Sequence, residues 1–80
     1  MSALGNLPRE AQEACVALAF STNWPAEEWA IAVQKLLKAD MPMELIGMTK
    51  LIELVLATKA PPSEVADLMV AEFQKAAVTG

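Results

Sequence analysis

A tripeptide of the form Pro-x-Glu occurs four times in this chain and constrains its fold strongly. The prolines are Pro8, Pro25, Pro42 and Pro62, so successive copies are 17, 17 and 20 residues apart. Proline suits the first position of an α-helix, where its missing N–H would have no partner. A glutamate two residues later faces the positive end of the helix dipole and can reach the unpaired N–H groups there. Each copy therefore predicts the start of a helix.

The residues after each copy recur with helical periodicity, which predicts helices at about 8–20, 25–39, 42–58 and 62–78. The connections between them are short, and short connections make neighbouring helices roughly antiparallel. No segment alternates between apolar and polar residues with period two, so no strand is predicted. The predicted fold class is all-α: a small bundle of four short antiparallel-type helices forming a single domain over residues 1–80.

The composition removes most of the residue types that catalysis and metal binding need. The chain has no histidine, no tyrosine and one cysteine, Cys15, in the middle of the first predicted helix. A thiol without a base is a poor nucleophile, a serine triad needs a histidine, and structural zinc needs a Cys/His cluster. The neighbouring acids Glu27 and Glu28 are predicted to be solvated helix starts, as are Glu10 and Glu13. We therefore predict no enzymatic activity, no catalytic residue, no cofactor and no metal.

The charge of the chain argues against two further classes of partner. The net charge is −4, and six basic residues are too few for a phosphate-binding surface, so no nucleic-acid partner is predicted. No uncharged stretch is long enough to cross a bilayer, and no secretory signal is recognisable, so no membrane association is predicted. A lone cysteine without an export signal predicts a cytoplasmic protein.

The third predicted helix is apolar over half of its circumference or more. A surface helix needs an apolar arc of only about 100°. The helix is therefore predicted to be either the centre of the domain or shared with a second chain. Leu45, Met48, Ile52 and Leu56 are expected to contact the other helices of the same chain. Leu51 and Leu54, which face a different direction, are then expected to be exposed.

Several other residues extend this predicted surface. Phe20 lies away from the main apolar side of the first helix, and Ile31 lies alone on the charged side of the second. Trp24 precedes Pro25 at a turn, where it would either cap the end of the bundle or anchor a partner. Trp29 is expected in the core, while the methionines at the start of the third helix suit either core packing or an interaction surface: Met41, Met43 and Met48. The predicted interface comprises Phe20, Trp24, Ile31, Leu51 and Leu54.

The sequence therefore favours a small non-enzymatic protein-interaction module, an adaptor or inhibitor. It is expected to self-associate as a homodimer and to bind another protein through an apolar helical surface. The alternative is a carrier that holds a small apolar ligand between its helices. A carrier needs an internal cavity, whereas an interaction module needs a coherent exposed apolar patch.

Overall fold

A computed structural model describes residues 3–41 and 45–79 of the chain. These residues form a short 3₁₀ helix, Leu4–Asn6, and four α-helices without a strand. The helices are α1 (Arg9–Ser21), α2 (Ala26–Lys38), α3 (Leu45–Thr58) and α4 (Pro62–Thr79). The predicted all-α fold class is confirmed, whereas the 3₁₀ helix was not predicted.

Three of the four predicted helix starts can be compared with the structure, and they are confirmed. α1 and α2 begin one residue after Pro8 and Pro25, and α4 begins at Pro62. The predicted start at Pro42 lies outside the described residues, as does Met43. Pro8 and Pro25 occupy the N-cap position and not the first helical position, because their ψ angles of 154° and 158° are still extended. Proline thus sets the entry of the chain into α1 and α2.

α2 ends in a Schellman motif that reverses the chain. The N–H of Met41 donates to the carbonyl of Leu36, and the N–H of Asp40 donates to the carbonyl of Leu37, both at 3.1 Å. Asp40 lies in the left-handed region with φ of 57°, as the residue after the cap does in this motif. The chain therefore leaves α2 within two residues, and Met41 comes to lie beside α4.

α2 is the central helix of the bundle. It packs against α1, α4 and the 3₁₀ helix, whereas α3 packs mainly against α4. The buried residues of α2 follow helical periodicity: Trp29, Ala30, Ala32, Val33 and Leu36. The alternative in which the third helix forms the centre of the domain is therefore wrong.

The predicted core face of α3 is wrong in part. Leu51, expected to be exposed, is completely buried, and Leu56, expected in the core, is 59% exposed. Gly47, Leu51 and Val55 face the core at intervals of four residues. Met48 and Ile52 pack beside them half-buried, as predicted, and the side chain of Leu45 lies outside the described part. Because α3 is apolar on several sides, its periodicity does not determine which side the neighbouring helix covers.

The turn between α1 and α2 is held by two hydrogen bonds that meet at the half-buried hydroxyl of Thr22. The hydroxyl of Thr22 donates to the carbonyl of Leu18 at 2.6 Å and accepts from the indole N–H of Trp29 at 3.0 Å. Trp29 is completely buried, which confirms its predicted place in the core. The two hydrogen bonds satisfy the polar atom of the largest core side chain and fix the turn that carries Trp24.

Glu27 and Glu28 contradict the prediction that they are solvated helix starts, because both are half-buried and bind other elements. Glu27 accepts hydrogen bonds from the backbone N–H groups of Ala3 and Leu4, at 2.7 and 3.5 Å. Glu28 accepts one from the hydroxyl of Ser63 at 2.5 Å. The helix start thus tethers both the 3₁₀ helix and α4 to α2.

A second polar contact joins α2 to α4. The ammonium of Lys35 lies 2.9 Å from the carboxylate of Asp67 and 3.5 Å from the carbonyl of Ser63. The two side chains remain partly exposed, so the pair contributes at most about 1 kcal/mol. It lies on the face of α4 that packs against α2, which leaves another face of α4 for the site described next.

Candidate functional site

An open apolar groove with a volume of about 470 Å³ lies between α3 and α4. We call it the α3/α4 groove. Its apolar lining comes from three segments of the chain: Met41, Leu54, Leu68, Met69 and Phe73. Two charged residues, Lys50 and Glu72, complete it.

Helical spacing explains why these side chains meet. Lys50 and Leu54 are four residues apart on α3 and therefore lie on one side of that helix. On α4, Leu68 and Glu72 form one such row. Met69 and Phe73 form a second row beside it. The groove is the space between the row on α3 and the two rows on α4.

The apolar side chains of the groove differ in exposure. Met69 is 8% exposed and joins the core, and Leu54 is half-buried against it. Leu68 is 60% exposed, although it is large and apolar. Complete burial of a leucine side chain contributes about 1.5–3 kcal/mol. A partner that covered Leu68 would therefore gain a substantial part of that free energy.

The two charged residues of the groove are exposed and opposite in sign. Within residues 3–41 and 45–79, the ion pairs are Arg9–Glu13 and Lys35–Asp67, so neither Lys50 nor Glu72 is paired. An apolar centre with charges at its edge is the arrangement found in protein–protein interfaces.

The structure does not bring the five predicted interface residues together on one surface. Leu54 lines the α3/α4 groove, but Leu51 is in the core and cannot contact a partner, so that prediction is wrong. Phe20 is 88% exposed near the end of α1, and Ile31 is half-buried on α2. Trp24 lines a different cleft.

That second cleft has a volume of about 420 Å³ and lies at the turn between α1 and α2. Trp24 is half-buried there and packs against the core. Val55 and Leu56, near the end of α3, and Lys59, in the connection that follows, form its other side. Trp24 therefore covers this end of the bundle, as one of its two predicted roles requires.

Five groove residues were not predicted as interface residues: Lys50, Leu68, Met69, Glu72 and Phe73. Leu68 had a recognisable signal, because it falls outside the apolar face of the fourth predicted helix. A large aliphatic side chain there is either exposed or covered by a partner. Met69 and Phe73 share the core-facing stripe of that helix, so the sequence does not distinguish them from ordinary core residues.

Cys15 lies away from the groove and is completely buried. Burial and, to a smaller extent, the nearby carboxylate of Glu27 together raise the pKa of its thiol from 9.0 to about 11. The thiol is therefore protonated at neutral pH, and the thiolate is the form that acts as a nucleophile.

In the described segments, no three Asp, Glu or Cys side chains converge in a way that could hold a metal ion. Among the helices described, none is both long enough and apolar enough to cross a membrane.

Comparisons with protein-family models, with characterised proteins and with solved structures give no match to this chain.

Proposed function

We propose that this chain is a non-enzymatic, cytoplasmic protein-interaction module that binds an apolar segment of a protein chain in the α3/α4 groove. The observation that carries the proposal is the exposure of Leu68: this large apolar side chain is 60% exposed at the edge of an apolar groove. By occupying that segment, the module would act as an adaptor or an inhibitor.

The openness of the groove favours a protein partner. Small-molecule sites enclose most of the ligand surface, typically 70–90% of it. A groove between two helices, open along one side, suits an apolar stripe of a helix from another chain. Lys50 and Glu72 lie where they can pair with polar residues that flank such a stripe.

A smaller cleft supports the carrier as a second candidate. It has a volume of about 310 Å³ and lies between α1, α2 and α3, with a lining that includes Ala11, Ala14, Val33 and Met48. This volume is at the lower limit of ligand pockets, which begin at about 300 Å³. An apolar molecule that co-purifies with the protein, seen by native mass spectrometry, would favour this function over the module.

Leu68→Glu and Leu56→Glu form a matched pair of variants that tests the module. Both leucines are exposed to the same extent, 60% and 59%, but only Leu68 lines the α3/α4 groove. Wild type and both variants would be immobilised and exposed to an extract of the native host, and the retained proteins quantified by mass spectrometry. Circular dichroism would establish that both variants are folded.

We expect a partner that wild type and Leu56→Glu retain equally and that Leu68→Glu loses about thirtyfold, which corresponds to a loss of about 2 kcal/mol in binding free energy. Retention of every partner by Leu68→Glu would contradict the proposal. Equal loss of the partner with both variants would also contradict it, because the effect would then not depend on the groove.

A further inference from the structure

The α3/α4 groove combines features that complement each other. The exposed side chain of Leu68 lies beside an apolar hollow lined by Leu54, and the positive Lys50 shares the groove with the negative Glu72. The groove thus offers both a protruding apolar side chain and a hollow that could receive one, and both a positive and a negative charge. A surface that carries both members of each complementary pair can bind a second copy of itself.

The register of the two helices places the complementary residues across the groove from one another. α3 and α4 are joined by residues 59–61. Lys50 lies eight residues before the last residue of α3, and Glu72 lies ten residues after the first residue of α4. Measured along the helix axes from the connection, Lys50 and Glu72 therefore lie about 12 and 15 Å away. Leu54 and Leu68 lie nearer the connection, at about 6 and 9 Å.

We infer that a second copy of this chain occupies the groove, related by a two-fold axis parallel to it. The inference rests on the proposed function, because it names the occupant of the same groove. Such an axis places α3 of each copy against α4 of the other, and residues at equal distances from the connection then lie opposite one another. Lys50 of each copy then faces Glu72 of the second copy, and Leu54 faces Leu68 of the second copy. Each contact occurs twice, as two-fold symmetry requires.

The exposed surface of the chain supports an assembly of this kind. The chain exposes 5275 Å², whereas a compact monomer of 8.6 kDa exposes roughly 4,700 Å². The excess is a large part of the surface that each partner buries in a specific interface, about 800 Å². A dimer built on the groove would cover Leu68 in both copies and pair both charged residues.

Sedimentation equilibrium of charge-reversal variants tests this arrangement. Lys50→Glu and Glu72→Lys each place like charges opposite one another at two positions of the dimer, so each should weaken dimerisation about tenfold or more. The double variant Lys50→Glu/Glu72→Lys restores both pairs with their signs exchanged, and its dimer should recover to near the wild-type dissociation constant. Leu68→Glu should be monomeric, whereas Leu56→Glu should dimerise as wild type does.

Three results would overturn the inference: a wild type that stays monomeric at high micromolar concentration, a double variant weaker than either single variant, or a dimer lost in Leu56→Glu. A monomeric wild type that still binds a different protein through Leu68 overturns the inference and leaves the proposed function standing. A monomeric wild type without Leu68-dependent binding overturns both.

Discussion

At the scale of single residues, Thr22 links Trp29, the largest side chain of the core, to the turn between α1 and α2. Replacing it with valine keeps the shape but removes the hydroxyl that accepts from the indole N–H of Trp29. Because Trp29 is completely buried, its N–H would lose its partner without gaining water. We expect Thr22→Val to lower the free energy of unfolding by about 1–3 kcal/mol, measured by urea denaturation.

Thr22→Ser is the control for this prediction. It retains the hydroxyl and removes only a methyl group from a half-buried position. It should therefore lose clearly less stability than Thr22→Val. Equal losses in the two variants would show that packing of the methyl group, and not the hydrogen bond, holds the turn.

Cys15 gives the stability of the fold a specific dependence on pH. Its pKa is raised in the folded state to about 11, so the folded chain holds the thiol proton more tightly than the unfolded chain does. The resulting stabilisation is fully present below pH 9.0 and is lost as the pH rises through 11. We expect wild type to lose up to about 2–3 kcal/mol more than Cys15→Ala over this interval, measured by denaturation at a series of pH values.

Comparison with Cys15→Ala isolates the thiol, because both proteins contain the same lysines, which also titrate in alkaline solution. The variant should retain binding to any groove partner, since Cys15 is in the core and does not line the groove. Parallel pH profiles for the two proteins would contradict the raised pKa. Loss of binding in a folded Cys15→Ala would contradict the non-enzymatic role.

At the scale of helices, the starts were predictable because the chemistry that sets them is local. The backbone angles of Pro8 and Pro25 direct the chain into α1 and α2, which begin at the next residue. The 3₁₀ helix was not predictable, because Glu27 contacts it from 23 and 24 residues away. A local sequence pattern, which spans only a few residues, cannot predict a contact over this distance along the chain.

The orientation of α3 depended on the other helices. Leu51 and Leu56 are chemically identical and lie on the same apolar helix, yet one is completely buried and the other is 59% exposed. The sequence predicted the opposite assignment, because the width of the apolar arc allows several rotations of the helix. Packing against α4 selects one of them, and that choice depends on the shapes of both helices.

At the scale of the whole molecule, the groove forms only when three separate segments meet. Leu54 was predicted as an interface residue, and Leu68 was visible as an apolar residue outside the expected core face. Met41, Met69 and Phe73 could not be assigned from sequence, since a side chain at the edge of a groove follows the same periodicity as one in the core. Trp24 and Phe20 lie elsewhere, so the predicted surface contained one residue of the observed groove.

Backbone chemical shifts of ¹⁵N-labelled wild type, followed on dilution from millimolar to low micromolar concentration, test most directly whether the chain associates with itself through the α3/α4 groove. We expect the amides around Lys50 and Leu54 and those of residues 68–73 to shift most, and those around Trp24 and Leu56 to stay nearly constant. Shifts centred on Trp24 and Leu56, or spectra that do not change with concentration, would contradict self-association through the groove.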